Sequence, residues 1–284
     1  MGTLELKIPR TLWPFKPTAL RKALSYTKHK KFNYPQCWDD LTRSQFMLIQ
    51  LILHLIRSKP IQRALNTIIL CKINIGLWSQ MHLIQRIQLQ WLFDWIYSEN
   101  SVITKNFFPV ISAGFAKFHG PSDTMGNINA AEFSEADYHF LNYTKSGKSE
   151  DLDKLIATLY RKEAENINTN SADFNGNLRE AFNSYTVDKR AKKLAKISVW
   201  KKMAILTFYR GCRKEIELTY DRVFTQKTQK SAENYGWPET FLGIVEGKIT
   251  ELDKLMSETM HNIFLKMQID LKNKAEWERK NKKK

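Results

Sequence analysis

The stretch His119-Gly120-Pro121-Ser122-Asp123 gathers an imidazole, a hydroxyl and a carboxylate. Acyl-transfer chemistry uses that set, provided the base touches the hydroxyl and the acid orients the base. Adjacency in sequence supplies neither contact. Pro-Ser-Asp with Gly126 beyond it reads instead as turn chemistry: Pro fixes φ, and Ser and Asp side chains cap neighbouring N–H groups. The histidines (His29, His54, His82, His119, His139, His261) are scattered, with no His-x-x-x-His pair and no Cys-x-x-Cys. That leaves metal ligation without a motif. Cys37, Cys71 and Cys212 are lone thiols, a set that fits a reducing compartment better than a disulfide framework. Cys212 follows Gly211 at an apparent helix C-terminus, where the dipole raises a thiol pKa. Gly243 and Gly247 lack the spacing and the Lys-Ser/Thr of a phosphate loop. Glu132, Glu135 and Asp137 read as solvated acids on one short helix. The residues predict no catalytic, metal or cofactor site, and the chain reads as a non-enzyme.

Binding chemistry is better represented. The net charge of +16 is concentrated in three places. Residues 1–31 hold eight Lys/Arg against Glu5, residues 266–284 hold eight against three acids, and residues 188–202 hold seven against Asp188. Lys189, Arg190, Lys192, Lys193 and Lys196 form the predicted patch for an acidic partner. With no recognition motif or aromatic platform beside them, nucleic acid ranks behind a protein partner. A second candidate surface is the Met-rich side of the last helix, where Met256, Met260 and Met267 are predicted to adapt to a partner. The simpler role for that side is core packing.

These surfaces need helices to hold them. Thr42 with Gln45 predicts a capping box, and Pro60 suits the first turn of the next helix, which Gly76 should end. A third helix, Gln80 to Tyr97, should bury a stripe of Ile84, Ile87, Trp91, Leu92 and Trp95. Residues 100–129 read as a long loop-rich insertion. Asn129 with Glu132 predicts an N-cap and capping box, and Glu150 to Arg161 a short helix with acids first and bases last. Ser198 to Arg213 is the most apolar segment; Trp200 and Phe208 should both be buried. A long C-terminal helix is expected from Ile249 to Arg279, with Leu252, Leu255, Ile263, Phe264 and Leu271 beside the methionines. Apart from Leu4–Ile8, strand signal is nearly absent. The expected fold is all-α: an irregular multi-helix bundle with a loop-rich insertion and a long C-terminal helix. Its expected parts are a basic, loosely docked arm (1–36), a helical domain (37–162), a polar linker (163–177), a second helical domain (178–279) and a basic tail (280–284). No secretory h-region follows Met1. The most apolar run, Phe46 to Ile56, is too short for a bilayer, which needs ~20 residues. No membrane contact is expected, and the oligomeric state is left open.

Several stretches, read in order, resemble helical proteins encoded in tail-assembly modules of long-tailed phages and prophages of Bacteroidetes. They are Trp38-Asp39-Asp40-Leu41-Thr42; Gly120-Pro121-Ser122-Asp123 with Glu132-Phe133; Leu152-Asp153-Lys154-Leu155-Ile156-Ala157-Thr158-Leu159-Tyr160-Arg161; Leu178-Arg179-Glu180-Ala181-Phe182-Asn183; and Tyr209-Arg210-Gly211-Cys212-Arg213. The likeness covers roughly residues 38–265 and leaves out the basic N-terminal arm. It implies an uncatalytic, chaperone-like protein of tail assembly in the cytoplasm of a bacterial host. Its implied partners are other phage tail proteins, the tape measure protein first, bound through a groove for apolar helices. A structural virion component and a nucleic-acid-associated protein are the alternatives.

Overall fold

A computed structural model describes residues 1–9, 27–98, 101–165, 167, 169, 174, 176–225 and 236–281. Among these the fold is predominantly α-helical, with two small two-stranded antiparallel sheets. The chain divides into two compact units, residues 1–102 and 103–284. No described helix is long and apolar enough to cross a membrane.

The first unit opens with β1 (Gly2–Pro9), paired antiparallel to β2 (Thr27–Tyr34). The expected strand at Leu4–Ile8 is present, but the arm is not loosely docked at its end. Phe32 is buried, and the Tyr34 ring meets Phe93 edge-on at 6.0 Å. Residues 10–26 of the expected arm lie outside the described residues. α1 (Arg43–Leu55) starts on the expected capping box, the Thr42 hydroxyl accepting from Gln45 N–H and the Gln45 side chain accepting from Thr42 N–H. Pro60 sits in the first turn of α2 (Lys59–Leu70), which packs on α1. Gly76 does not end that helix; it lies within α3 (Ile75–Gln80), behind an Asn74 cap. α4 (Leu83–Trp91) packs on α2.

The second unit begins with a hairpin that the sequence reading missed, β3 (Val110–Ala113) and β4 (Ala116–His119). Its two-residue loop starts at Gly114 with φ 63°, a conformation glycine takes freely. The expected turn follows: Asp123 Oδ1 accepts from Asn106 N–H at 2.7 Å. α5 (Ala130–Ser146) and α6 (Ser149–Leu159) then pack on each other, and α6 carries α7 (Val187–Leu194) and α8 (Val199–Thr219). The short α9 (Asp221–Thr225) leads to residues 226–235, where part of an expected irregular stretch lies outside the described residues. α10 (Trp237–Ile244), α11 (Ile249–Ser257) and α12 (Met260–Asn281) complete the unit.

Four expectations about this unit are corrected. Residues 163–177 are not a domain boundary, for their flanks are tied together: Ala164 N–H donates to Leu178 O at 3.0 Å, and Glu180 N–H to Lys162 O at 2.8 Å. Residues 166, 168, 170–173 and 175 of that stretch lie outside the described residues. Gly211 does not end a helix; it is inside α8, where a Cβ would come within 2.6 Å of Ile103 N. Its role is close approach. The C-terminal helix is two helices, because the intervening residues bond sideways instead of along an axis. Ala130 N–H donates to Glu258 O and Met260 N–H to Ile128 O, both at 3.0 Å. Phe208 is buried as expected, but Trp200 is only half-buried, its ring against Phe108 at 6.1 Å. Residues 282–284 of the basic tail lie outside the described residues.

Candidate functional site

The acids expected to be solvated are the centre of the second unit. Asn129 caps α5 as predicted, its Oδ1 accepting from Glu132 N–H at 2.8 Å. The Glu132 side chain does not complete a capping box. It points inward, 1% exposed, and accepts from Arg161 Nη2 at 3.2 Å and from Arg179 Nη1. The two arginines reach it from either side of the polar stretch 163–177. Arg190 joins the same region, donating to Glu180 at 2.9 Å.

What draws three guanidiniums together is the end of α6. Its last carbonyls have no partner within the helix and carry the negative end of the dipole. Arg190 Nε donates to Ala157 O at 2.6 Å, Arg161 Nη1 to Thr158 O at 3.3 Å and Arg179 Nη1 to Leu159 O at 3.0 Å. Burial lowers the pKa of Arg179 and of Arg190; the opposing charges of Glu132 and Glu180 partly restore them, and Arg161 lowers both again. The arrangement is a helix terminus neutralised from three directions. Glu132 is held by Arg161 and Arg179, and Glu180 by Arg190.

A second buried acid, Asp137, works alike. It accepts from Trp237 Nε1 at 2.8 Å, Arg213 Nε at 2.5 Å and Tyr209 OH at 3.4 Å. Burial and then the Asp137 charge push the Tyr209 phenol well above its ordinary range. Arg213 is partly desolvated, yet its bond to Asp137 raises its pKa. Lys202, half of a third pair, bonds Asp153 at 2.5 Å and Ala195 O at 2.8 Å. Each of these carboxylates is buried beside a cation from another segment and anchors that segment.

The predicted surfaces are rearranged. Lys189, Lys192, Lys193 and Lys196 are exposed, but Arg190 is buried and belongs to the α6 terminus, so it leaves the acidic-partner patch. Met260 is fully buried at the start of α12, whereas Met256 in α11 and Met267 in α12 are half-buried. The break at Glu258–Thr259 puts Met256 on a separate helix, so the three methionines do not make one face. Cys212 is buried, its Sγ donating to Ile103 O at 3.4 Å. Burial in the first unit pushes the Cys71 thiol up to about 12. Among the described residues no three His, Cys, Asp or Glu side chains could hold a metal ion together.

The surface that sequence reading misplaced is on α4. Three members of its expected buried stripe are turned outward, Ile84 69% exposed, Trp91 63% and Ile87 36%, joined by Leu83 at 69%, while Leu92 and Trp95 are half-buried. Leu89, with Phe93 and Ile96 beyond the helix, faces inward instead. Gln85 and Arg86 can turn away from water because their polar atoms serve the chain entering the helix. Gln85 Oε1 accepts from His82 N–H at 3.1 Å; Arg86 donates to Met81 O at 3.1 Å and Ser79 O at 2.8 Å. A row of four large apolar side chains rimmed by Gln, Arg and His is a surface suited to another apolar surface. No family model, no curated protein and no solved structure matches the chain.

Proposed function

We propose that the chain is a non-enzymatic, chaperone-like protein of phage tail assembly that keeps an apolar helical segment of the tape measure protein soluble in the host cytoplasm. The carrying observation is the α4 row, Leu83, Ile84, Ile87 and Trp91, exposed on a helix whose other side is packed. A row at this spacing meets the apolar stripe of an amphipathic helix, side by side over about 12 Å of axis. The resemblance of residues 38–265 to tail-assembly proteins supplies the partner's identity. The interior supports the non-enzymatic part, since its buried carboxylates Glu132, Asp137 and Asp153 are each paired with a guanidinium or an ammonium.

The test is co-expression with the tape measure protein, comparing the wild-type chain with Ile84→Lys/Trp91→Lys. Both residues are exposed, so the variant should keep its thermal midpoint, because surface changes shift stability by only about 0.5 kcal/mol. The wild-type chain should hold the partner in the soluble fraction and the variant should not. Equal solubilisation by the two would remove α4 from the mechanism. Absence of any association, with the chain found instead in purified particles, would replace the assembly role with a structural one.

A further inference from the structure

Lys189, Lys192 and Lys193 share one face of α7 at i, i+3 and i+4, and Lys196 follows in the turn just beyond the helix end at Leu194. All four are exposed. The other face of α7 is fixed by burial of Val187, Arg190, Ala191 and Leu194. Carboxylates that could neutralise the row are committed elsewhere: Asp188 to Lys154 at 3.1 Å, Glu180 to Arg190 at 2.9 Å and Asp153 to Lys202 at 2.5 Å. The hydrogen bond and charge of Asp188 raise the pKa of Lys154, so that acid serves α6 and not its own helix. Among the described residues none of the four lysines has an ion-pair partner. Like charges at i, i+3 and i, i+4 repel, so Lys189 opposes Lys192 and Lys193, while the negative end of the helix dipole holds those two in place. An external polyanion relieves that repulsion.

We propose that this row docks on the phosphate backbone of duplex DNA without reading its sequence. Duplex DNA presents one charge per ~1.7 Å of axis, much denser than lysines ~5–6 Å apart, so the row meets phosphates in any register. The row contains lysine alone, and the neighbouring arginine is turned inward. Lysine binds phosphate as a point charge, whereas paired recognition of carboxylates favours the arginine fork. α7 has no aromatic residue on which unpaired bases could stack, which favours duplex over single strands. The proposal is independent of the α4 reading, because the two rows lie in different units.

Fluorescence anisotropy of a mixed-sequence duplex of about 20 base pairs, titrated with full-length protein at several salt concentrations, tests it. Replacing all four lysines by Gln should lower the slope of log K against log salt by about 3.6, or 0.9 per lost contact. Between about 50 and 200 mM salt, wild type should lose on the order of a hundredfold more affinity than the variant. The matching Lys→Arg variant should retain the slope. The Gln variant should melt near the wild-type temperature; if it fails to fold, Lys192→Gln and Lys193→Gln singly should each lower the slope by about 0.9. An unchanged slope in a folded variant overturns the proposal and assigns the binding to the basic termini. No retention of DNA by wild type at about 50 mM salt also overturns it. So does retention of polyglutamate with no retention of DNA, which would make the row a surface for acidic polypeptides.

Discussion

In residues 1–102 the buried polar side chains described are neutral: Gln50, Gln62, Asn66 and Thr67. In residues 103–284 they include Glu132, Asp137, Asp153, Arg161, Arg179, Arg190 and Lys202. The first unit closes with aromatic edges, Trp38 on Phe46 at 5.7 Å and on Trp95 at 5.1 Å, and with a buried amide that serves a helix end. That amide is Gln62, its Nε2 donating to Ile56 O at 2.5 Å. The second unit closes with charge, and that choice has a consequence. A buried guanidinium left without its carboxylate is costly, so arrangements that separate Glu132 from Arg161 and Arg179 are penalised. An interior of apolar and amide groups is more forgiving, and this unit leaves the α4 row uncovered. The difference separates the two candidate surfaces: an apolar one on the adaptable unit and a cationic one on the charge-locked unit.

Breaking the lock gives the largest expected effect. Glu132→Ala leaves Arg161 and Arg179 buried without their anion, and should cost about 3–5 kcal/mol. Urea denaturation checks this; a loss below about 1 kcal/mol would mean that the guanidiniums are held by the α6 carbonyls alone. A smaller effect of the opposite kind belongs to the first unit. The Cys71 thiol is buried, and its pKa is pushed from 9.0 up to about 12. Above 9.0 the unfolded chain releases a proton that the folded chain keeps, so this stability is full below that pH and lost as pH rises toward 12. The slope is at most about 1.4 kcal/mol per pH unit. The buried phenols of the second unit, Tyr160, Tyr209 and Tyr220, are raised from 10.0 and enter later. Cys71→Ala should therefore flatten the fall in stability between about pH 9 and pH 10. Unchanged alkaline sensitivity in that variant would locate the titrating group elsewhere.

What could be read from the sequence was local. The Thr42 capping box, Pro60 in a first turn, the Asn129 cap and the short helix beginning near Glu150 all rest on signals within a few residues. Glu132 shows where that reading stops. Its backbone obeyed the N-cap pattern, while its side chain found partners 29 and 47 residues away. Gly211 looked like a stop because nothing in its neighbourhood reveals Ile103. Arg190 looked like a member of the lysine row until the end of α6 claimed it. On α4 the outward turn of Ile84, Ile87 and Trp91 was hidden, because the bonds of Gln85 and Arg86 to the incoming chain are invisible to periodicity. The stretches that carry the tail-assembly resemblance include Gly120, Glu132, Arg161, Arg179 and Gly211, which here close the interior. They mark how the chain packs more than what it binds.

The central claim, that the partner helix lies on α4, is tested most directly by hydrogen–deuterium exchange with and without the tape measure segment. The account predicts new protection over residues 83–91, with residues 189–196 and 256–267 unchanged. Protection confined to α11 and α12, with α4 exchanging as in the free protein, would contradict it.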